Sequence, residues 1–246
     1  MKRLLSFSLM LFACFSATAQ ETTDFSEVSF KTKDGITING VFQNPAVDAT
    51  PAPAVILIHQ GGSNKEEWLE NPLTEKLLKA GYAVLVYDVR LHGDSEKDEG
   101  DIQDLFNNPK RAPLDLQAAI AFLKQDKKID AKRIGIVGAS IGANLACVAA
   151  ASKKYTIKSV VSISAKSAAV QNLSGEKELK APNNAFHIAS KAEQDGKRAE
   201  WANELYALTT GKKKVEIAEG NKHGSYIIAE HPALQQSIIE WFKETL

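Results

Sequence analysis

A serine flanked by small residues is the most informative feature of the chain. Segment 138–142 reads GASIG; it follows the short apolar run 133–137 and precedes the small-residue stretch 143–151. A strand, Gly-x-Ser-x-Gly and a helix in this order are typical of a nucleophile elbow, a tight turn that projects a serine hydroxyl from the top of a sheet. We therefore predict that Ser140 is a nucleophile and that the backbone N–H of Ile141 stabilises an oxyanion.

A serine hydroxyl at neutral pH needs a general base, usually a histidine, which a carboxylate orients. In sheets that carry this elbow the chain order is serine, acid, histidine, and three histidines follow Ser140. His187 lies inside an apolar strand and His231 at the start of the last helix, where structural roles are expected. His223 lies in the loop 219–224 after the last strand, and it is the predicted base.

Two carboxylates are candidates for the acid that orients this histidine. The strand ending near Ala189 is followed by a loop that contains both Glu193 and Asp195. Glu193 is the first choice because it lies a short turn beyond the strand. Asp195 serves instead if the loop is longer, and its alternative interpretation is turn formation before Gly196. The sequence leaves both candidates open.

A second oxyanion donor is expected in the loop that follows the apolar strand 54–58. The sequence there reads HQGG, from His59 to Gly62. Glycine permits unusual backbone angles that can aim an N–H into a site. Gly61 is the predicted donor, with Gln60 as the next candidate.

The elements that must position these residues alternate along the chain. A turn at 33–35 separates the two strands of a predicted hairpin, and continuous apolar strands then alternate with amphipathic helices. This pattern indicates an α/β protein whose mainly parallel sheet is covered by helices on both faces. The predicted strands cover 26–32, 36–42, 54–58, 82–87, 133–137, 159–163, 185–189 and 215–218, and the predicted helices cover 69–80, 114–124, 143–151, 198–209 and 232–246.

Four segments together carry a resemblance to a known family. They are 59–62, 88–95, 138–142 and 222–224. In sequence and spacing the chain resembles the α/β-hydrolase superfamily, in particular small secreted esterases similar to dienelactone hydrolases. The resemblance implies the α/β-hydrolase fold and a site built from Ser140, an acid and His223. It also implies that Asp88 and His92 stabilise a turn and take no part in the site.

The chain departs from the family pattern in places that bear on the substrate. The family usually has glycine at the position of Gln60, which we expect to line the substrate-binding cleft, and Leu91 also replaces a glycine. Many members insert a cap domain after the strand equivalent to 159–163, whereas only 164–184 precede the next strand here. The resemblance therefore implies an open site without a cap domain, which argues against long-chain lipase activity.

Composition excludes some classes of partner. The chain has 246 residues with 30 basic and 30 acidic side chains, a balance that gives no reason to expect nucleic acid or an anionic membrane surface. The sequence contains no Cys and His clusters with ligand spacing, so no metal or organic cofactor is predicted. One domain over 20–246 that binds a small-molecule ester is the simplest interpretation, and the oligomeric state is left open.

The beginning of the sequence predicts export. Basic residues precede an apolar stretch and the small residues 17–19, which indicates a secretory signal peptide over 1–19 and a periplasmic or extracellular protein. The apolar stretch is shorter than the ~20 residues that a membrane-spanning helix needs. An alternative is lipid attachment at Cys14, because segment 11–14 resembles a lipobox. Cys147 lies among alanines and is predicted to be a buried structural thiol.

The predicted function is hydrolysis of a carboxylic ester through an acyl-enzyme intermediate. One alternative uses the same residues on amide or peptide bonds, or for acyl transfer, because the attacking groups are shared and the cleft decides. The other is a non-catalytic binding protein with the same fold. The complete order of serine, acid and histidine argues against that last possibility.

Overall fold

In the computed structural model, which describes residues 25–45 and 50–246, eight strands form one sheet. The strands are β1 (Ser26–Lys31), β2 (Thr37–Gln43), β3 (Ala52–Ile58), β4 (Ala83–Tyr87), β5 (Ile129–Ala139), β6 (Ser159–Ile163), β7 (Asn183–Ser190) and β8 (Thr210–Ala218). Their order across the sheet is β1-β2-β4-β3-β5-β6-β7-β8. Strands β3 to β8 pair in parallel, and β2 runs antiparallel to both of its neighbours.

Helices cover both faces of this sheet. Within the described ranges they are α1 (Glu66–Leu69), α2 (Pro72–Lys79), α3 (Asp104–Asn107), α4 (Ala112–Gln125), α5 (Ile141–Ala150), α6 (Ser167–Ser174), α7 (Lys197–Leu208), α8 (Ser225–Glu230) and α9 (Pro232–Thr245). Leu116 of α4 and Leu145 of α5 are buried on one face, and Leu77 of α2 and Ile238 of α9 on the other. The predicted fold class, a mainly parallel sheet between two helical layers, is confirmed.

Two central strands are buried along their whole length, because neither of their faces meets water. Every residue of β4 and of β6 is buried. A strand covered on both sides needs no alternation of polar and apolar residues. These two strands are therefore found in the structure within one residue of their predicted bounds.

The parallel strands end at one edge of the sheet, and this alignment brings the predicted site residues together. Gly138 of β5 pairs with Ile58 of β3, and Ile163 of β6 pairs with Ile188 of β7. The loops that follow β3, β5, β6, β7 and β8 consequently emerge side by side. In doubly wound sheets this carboxyl edge is where ligands bind.

One predicted helix is divided in the structure. The range 69–80 was expected to be a single helix, but α1 ends at Leu69 and α2 begins at Pro72. The side chain of Asn71 accepts the backbone N–H of Leu73 at 3.0 Å and so caps a new helix. Proline is favoured at the first helical position, because the N–H that it lacks would have no acceptor within the helix.

Short helices α3, α6 and α8 were not predicted from the sequence. They contain 4, 8 and 6 residues, too few for a helical period to stand out. Helix α6 lies within 164–184, between β6 and β7, where the described chain contains no cap domain. The prediction of a fold without a cap domain is confirmed.

The predicted signal peptide over 1–19 and the alternative lipid site at Cys14 lie outside the described residues. In the part of the chain that is described, no helix has the length and apolar character needed to cross a membrane. Cys147 is buried in α5, and burial raises the pKa of its thiol to about 12. This environment fits the predicted structural role.

Candidate active site

Ser140 occupies a strained turn between β5 and α5. Its φ of 51° and ψ of −105° lie outside the regions that non-glycine residues usually adopt. Its N–H donates to the carbonyl of Ile163 at 2.8 Å, which fixes the turn to the neighbouring strand. A Cβ atom on Gly138 would overlap the carbonyl of Gly142, and one on Gly142 would overlap that of Ile58. Both flanking glycines are thus required by close backbone contacts, as expected for an elbow.

The Ser140 side chain faces a cavity of about 340 Å³ at the carboxyl edge of the sheet. The residue is 7% exposed, and its hydroxyl has no hydrogen-bond partner among the described residues. Seven of the ten residues that line the cavity have polar side chains, which include amides and two cations, and one has an aromatic ring. It is lined by Gln103, Phe106, Asn107, Ser140, Asn144, Lys166, Ala168, Ala169, Asn172 and Arg198.

His223 contacts Glu193 and not Asp195. Its Nδ1 atom lies 2.5 Å from Oε1 of Glu193, and because a carboxylate only accepts, Nδ1–H is the donor. Glu193 is buried in the loop after β7, whereas Asp195 two residues later is exposed and in a left-handed turn with φ 55°. Of the two candidate acids, the structure brings only Glu193 to the histidine. The Nε2 atom of His223 is left for another partner.

The loop that carries His223 lies close to the elbow. A Cβ atom added to Gly224 would lie 3.3 Å from the Cβ of Ala139, the residue before Ser140. The N–H of Gly224 donates to the hydroxyl of Ser164 at 3.1 Å. Since Ser164 follows the strand to which the elbow is bonded, one short path of contacts links the serine turn to the histidine turn.

The backbone N–H groups of Gly61 and Ile141, the two predicted oxyanion donors, have no acceptor in the described part of the chain. Those of Gly142 and Ala143 in the first turn of α5 have none either. The N–H groups on either side of Gly61 are occupied, because that of Gln60 points to Glu67 at 3.3 Å and that of Gly62 donates to His92 at 3.0 Å. In this loop the N–H of Gly61 is therefore without an acceptor, whereas that of Gln60 is directed at Glu67.

The Gln60 side chain is buried against the histidine loop. It is 8% exposed, and its Oε1 atom has no hydrogen-bond partner in the described structure. A Cβ atom on Gly224 would overlap this Oε1 atom. Gln60 consequently packs beneath the histidine turn, and it is not among the residues that line the cavity at Ser140.

Two buried histidines fix the shape of the loop that carries Gly61. Nε2 of His59 accepts the N–H of Val89 at 3.0 Å, and its Nδ1–H donates to the carbonyl of Gln60 at 2.7 Å. Burial lowers the pKa of His59 to about 4, so this ring is neutral at physiological pH. His92 holds Gly62 in the same way, which agrees with a turn-stabilising role for the segment 88–95.

Asp88, also expected to stabilise this turn, accepts backbone N–H groups from two directions. Its carboxylate bonds the N–H of Lys65 at 2.6 Å and that of Asp94 at 2.9 Å. It is fully buried and lies away from the Ser140 cavity. The structure thus ties the start of α1 to the turn after β4.

His187 and His231, the other histidines after Ser140, have structural partners. His187 is buried in β7 between the hydroxyls of Ser162 at 2.8 Å and Thr209 at 2.9 Å. Burial lowers its pKa to about 4. His231 lies 3.0 Å from the carbonyl of Glu219 at the start of α9. Neither reaches the elbow.

Sequence reasoning missed two residues that contact the acid, Ser164 and Arg198. The hydroxyl of Ser164 donates to Oε2 of Glu193 at 2.9 Å, and Nε of Arg198 lies 3.2 Å from Oε1. The position of Ser164 directly after β6 is the available signal, but a serine cannot be the acid that was expected at such a strand end. Arg198 lies in α7 and gives no signal, because a basic residue at a helix start is usually a surface residue.

The parallel sheet, the elbow serine at its carboxyl edge and the histidine–glutamate contact define the general class of α/β hydrolases. A family model described as the alpha/beta hydrolase fold matches residues 53–229. The chain belongs to this family.

Sequence relatives are similar over only part of their length. The quorum-quenching protein AidA of Acinetobacter baumannii is 30% identical over 116 residues, 47% of this chain and 36% of that protein. The thiohydrolase apmlB of Arthrinium phaeospermum is 32% identical over 133 residues, 50% of this chain and 38% of that protein. The matched segments therefore span well under half the length of these relatives.

Solved structures share the fold over nearly the whole chain. The esterase Pf2001 of Pyrococcus furiosus superposes with a TM-score of 0.73 at 21% identity, covering 91% of this chain and 93% of that one. A dienelactone hydrolase from Anabaena variabilis gives a TM-score of 0.68 at 21% identity, covering 91% and 98%. At this level of identity the likeness establishes the fold.

Proposed function

We propose that this hydrolase is a serine hydrolase that cleaves carboxylic esters through an acyl-enzyme intermediate. The observation that carries the proposal is the 2.5 Å contact between Nδ1 of His223 and Oε1 of Glu193. This contact selects the imidazole tautomer whose Nε2 can accept a proton. Ser140, in its strained turn beside the same loop, is the hydroxyl from which that proton would come.

The proposed reaction has two halves with one proton shuttled in each. The Oγ atom of Ser140 attacks the ester carbonyl while its proton passes to Nε2 of His223, and the carbonyl oxygen becomes an oxyanion. The C–O bond to the alcohol then breaks, and the alcohol leaves with that proton. Water attacks the acyl-serine in the same way, giving the carboxylic acid and the free serine. Glu193 stays ionised and stabilises the imidazolium in both halves.

The oxyanion would be held by the free N–H groups of Gly61 and Ile141. Such donors typically lower the barrier by about 3 kcal/mol each, because they are already aimed at the developing charge. His59 and His92 keep the Gly61 loop in place through the contacts described above. No step of this mechanism needs a metal or an organic cofactor.

The cavity favours short or polar esters over long acyl chains. Its volume of about 340 Å³ is at the lower end for a small-molecule site, and amide side chains from α3, α5 and α6 form much of its wall. Burying a long alkyl chain against amides would leave their polar atoms unpaired. We therefore propose an acyl group such as acetyl as the preferred substrate part. The relatives named thiohydrolases justify testing a thioester beside the oxygen ester.

The experiment that tests this function combines a covalent probe with turnover. The purified protein is incubated with a fluorophosphonate probe, and hydrolysis is measured on 4-nitrophenyl esters of increasing chain length, acetyl sugars and a matched acetyl thioester. Labelling and turnover that are lost in Ser140→Ala support the proposal. A folded wild type that is neither labelled nor active supports the non-catalytic alternative, and activity on amides alone supports the amidase alternative.

Export is proposed from the sequence alone, because the first residues lie outside the described structure. Cleavage after residue 19 would give a mature protein that begins at Gln20. The N-terminus of protein recovered from a periplasmic or culture fraction is read by mass spectrometry. An acylated N-terminal Cys14 would instead support lipid attachment, and an intact first residue in the cytosolic fraction would exclude export.

A further inference from the structure

The carboxylate of Glu193 has more partners than the orientation of a histidine requires. Its Oε1 atom accepts from Nδ1 of His223 at 2.5 Å and lies 3.2 Å from Nε of Arg198, an ion pair without the geometry of a hydrogen bond. Its Oε2 atom accepts the hydroxyl of Ser164 at 2.9 Å. The side chains of Glu193 and Arg198 are 6% and 10% exposed, so water screens their interaction little, whereas His223 is 36% exposed at the edge of the network. When the imidazole is protonated, two cations face one carboxylate oxygen.

Arg198 is held in place by contacts on other sides. Its Nη1 atom donates to the carbonyl of Ser164 at 2.6 Å. The guanidinium carbon lies 5.3 Å from the centre of the Trp201 ring, within the range of a cation–π contact. Burial lowers the pKa of Arg198, but an arginine still carries its charge at neutral pH. The positive charge beside Glu193 is therefore permanent and fixed in position.

Ser164 joins the arginine, the acid and the histidine loop. It is fully buried, with a left-handed φ of 61°. Its carbonyl accepts from Arg198, its hydroxyl donates to Glu193, and the same hydroxyl accepts the N–H of Gly224 at 3.1 Å. A non-glycine residue in this conformation costs energy, and such strain persists where surrounding contacts enforce it. The three contacts form a closed network behind the histidine.

We propose that Arg198 is a positioning residue that lowers the proton affinity of His223 by sharing the Glu193 carboxylate with it. A carboxylate alone favours the imidazolium and raises the pKa of a histidine, whereas a nearby cation opposes protonation. With Arg198 in place, His223 would stay neutral, and so able to act as a base, to lower pH. This inference rests on the proposed function only in treating His223 as the base, because the proton affinity of His223 can be measured without turnover.

Other charged groups near His223 are the same in the wild type and in variants of residue 198. Glu67 of α1 interacts electrostatically with His223, and burial raises the pKa of Glu67. Lys222, the preceding residue, pairs with Glu230 at 3.3 Å. Glu67, Lys222 and Glu230 are unchanged in the variants. A difference in the pKa of His223 between the wild type and a variant therefore reports the effect of residue 198.

The test removes the charge at 198 and follows the titration of His223. In Arg198→Met we expect the pKa of His223, read by NMR of its ring, and the acid limb of kcat/KM to rise by about 0.5 to 1 pH unit. Arg198→Lys keeps a charge and should leave both near the wild-type value. Lys197→Met is the matched control, because Lys197 is exposed in the same helical turn and pairs with Glu200 at 2.8 Å. It should not move the titration.

An unchanged His223 pKa in Arg198→Met, or an equal rise in Arg198→Lys, would overturn the inference. A wild type that hydrolyses nothing would overturn the proposed function and leave these titrations interpretable.

Discussion

At the residue scale, the site is defined by which groups still have a free hydrogen-bonding atom. Within the described residues, Gly61 and Ile141 each have an N–H without an acceptor, and the Ser140 hydroxyl has no partner. Neighbouring groups are tied down, as His92 holds Gly62 and Glu193 holds His223. A preorganised site requires unpaired hydrogen-bonding groups held in place by neighbours that are already paired. The bound substrate then forms hydrogen bonds with the unpaired groups.

The acid can be assigned by comparing two isosteric substitutions. Glu193→Gln keeps the shape of the side chain but removes the charge that holds Nδ1–H, so kcat/KM should fall by roughly 10³-fold or more. Asp195→Asn changes an exposed residue with no contact to His223 and should leave the rate nearly unchanged. Steady-state kinetics on a 4-nitrophenyl ester checks both. Equal losses in the two variants would contradict the assignment.

Two substitutions of Ser164 should have similar effects on activity but different effects on stability. Ser164→Ala leaves the N–H of Gly224 and the Glu193 carboxylate without their shared partner, which should lower kcat by about tenfold or more. Ser164→Gly loses the same hydroxyl but relieves the left-handed backbone, whose φ is 61°. We expect the glycine variant to be about 1 kcal/mol more stable than the alanine variant, with similarly low activity.

Urea unfolding compared with kcat tests this separation for Ser164. An alanine variant as stable as the glycine variant would show that the backbone angle carries no strain. Wild-type kcat in both variants would show that the hydroxyl does not support Glu193.

At the element scale, the turn between β5 and α5 sets the tightest constraint. Helix α5 passes so close to β3 that a side chain on Gly142 would overlap the carbonyl of Ile58. Gly142→Ala should therefore lower the free energy of unfolding by about 3 kcal/mol, because the helix must move away from the sheet. Gly35→Ala is the control, since Gly35 has a φ of 88° but nothing within 4 Å of an added Cβ. It should cost only about 1 kcal/mol.

Chemical denaturation of the two alanine variants measures the difference. Similar losses would show that contact between α5 and β3 is not what makes glycine necessary at 142.

The elements also show how far the sequence could predict this structure. Long apolar strands and the elbow were predictable because burial on both faces and a crowded turn each leave a clear residue pattern. The short helices α3 and α6, which form walls of the Ser140 cavity, were not, because four to eight residues carry no readable period. The choice between Glu193 and Asp195 depended on the path of one loop, which residue types do not encode.

The contact of Arg198 with Glu193 was equally beyond the sequence. It depends on α7 returning toward the end of β7 after a turn in which Gln194 and Asp195 adopt left-handed angles of 51° and 55°. Asp195 before Gly196 signals a turn, but the residue types do not encode where that turn directs α7. Contacts made across loops are thus the part of the site that needed coordinates.

At the scale of the whole molecule, two buried neutral histidines couple stability to pH. Burial lowers the pKa of both His59 and His187 to about 4, whereas an unfolded histidine titrates near 6.5. Neither ring has room for a second proton without loss of a bond. Nε2 of His59 already accepts from the N–H of Val89. Thr209 donates its hydroxyl to Leu205, so it must accept from Nε2–H of His187 and leave Nδ1 as the acceptor for Ser162.

Acid should destabilise the folded protein through His59 and His187. Between pH 6.5 and 4 the unfolded chain binds more protons at these two histidines than the folded protein, so acid favours unfolding. The contribution of these two histidines to the free energy of unfolding should be constant above pH 6.5 and fall as the pH approaches 4. Burial raises the pKa of Asp115 to about 6 and also raises that of Glu67, so these carboxyls act in the opposite direction in the same pH range. The wild type and His187→Gln share both carboxyls, so the variant should lose less stability than the wild type between pH 7 and pH 4.5. Urea unfolding at several pH values measures the two losses, and equal losses would mean that His187 is not neutral and buried as described. A proton on Nε2 of His59 would break its bond to the N–H of Val89, and so should loosen the link between the end of β4 and the loop that carries Gly61 before the sheet unfolds. Acid inactivation is then expected at a higher pH than acid unfolding.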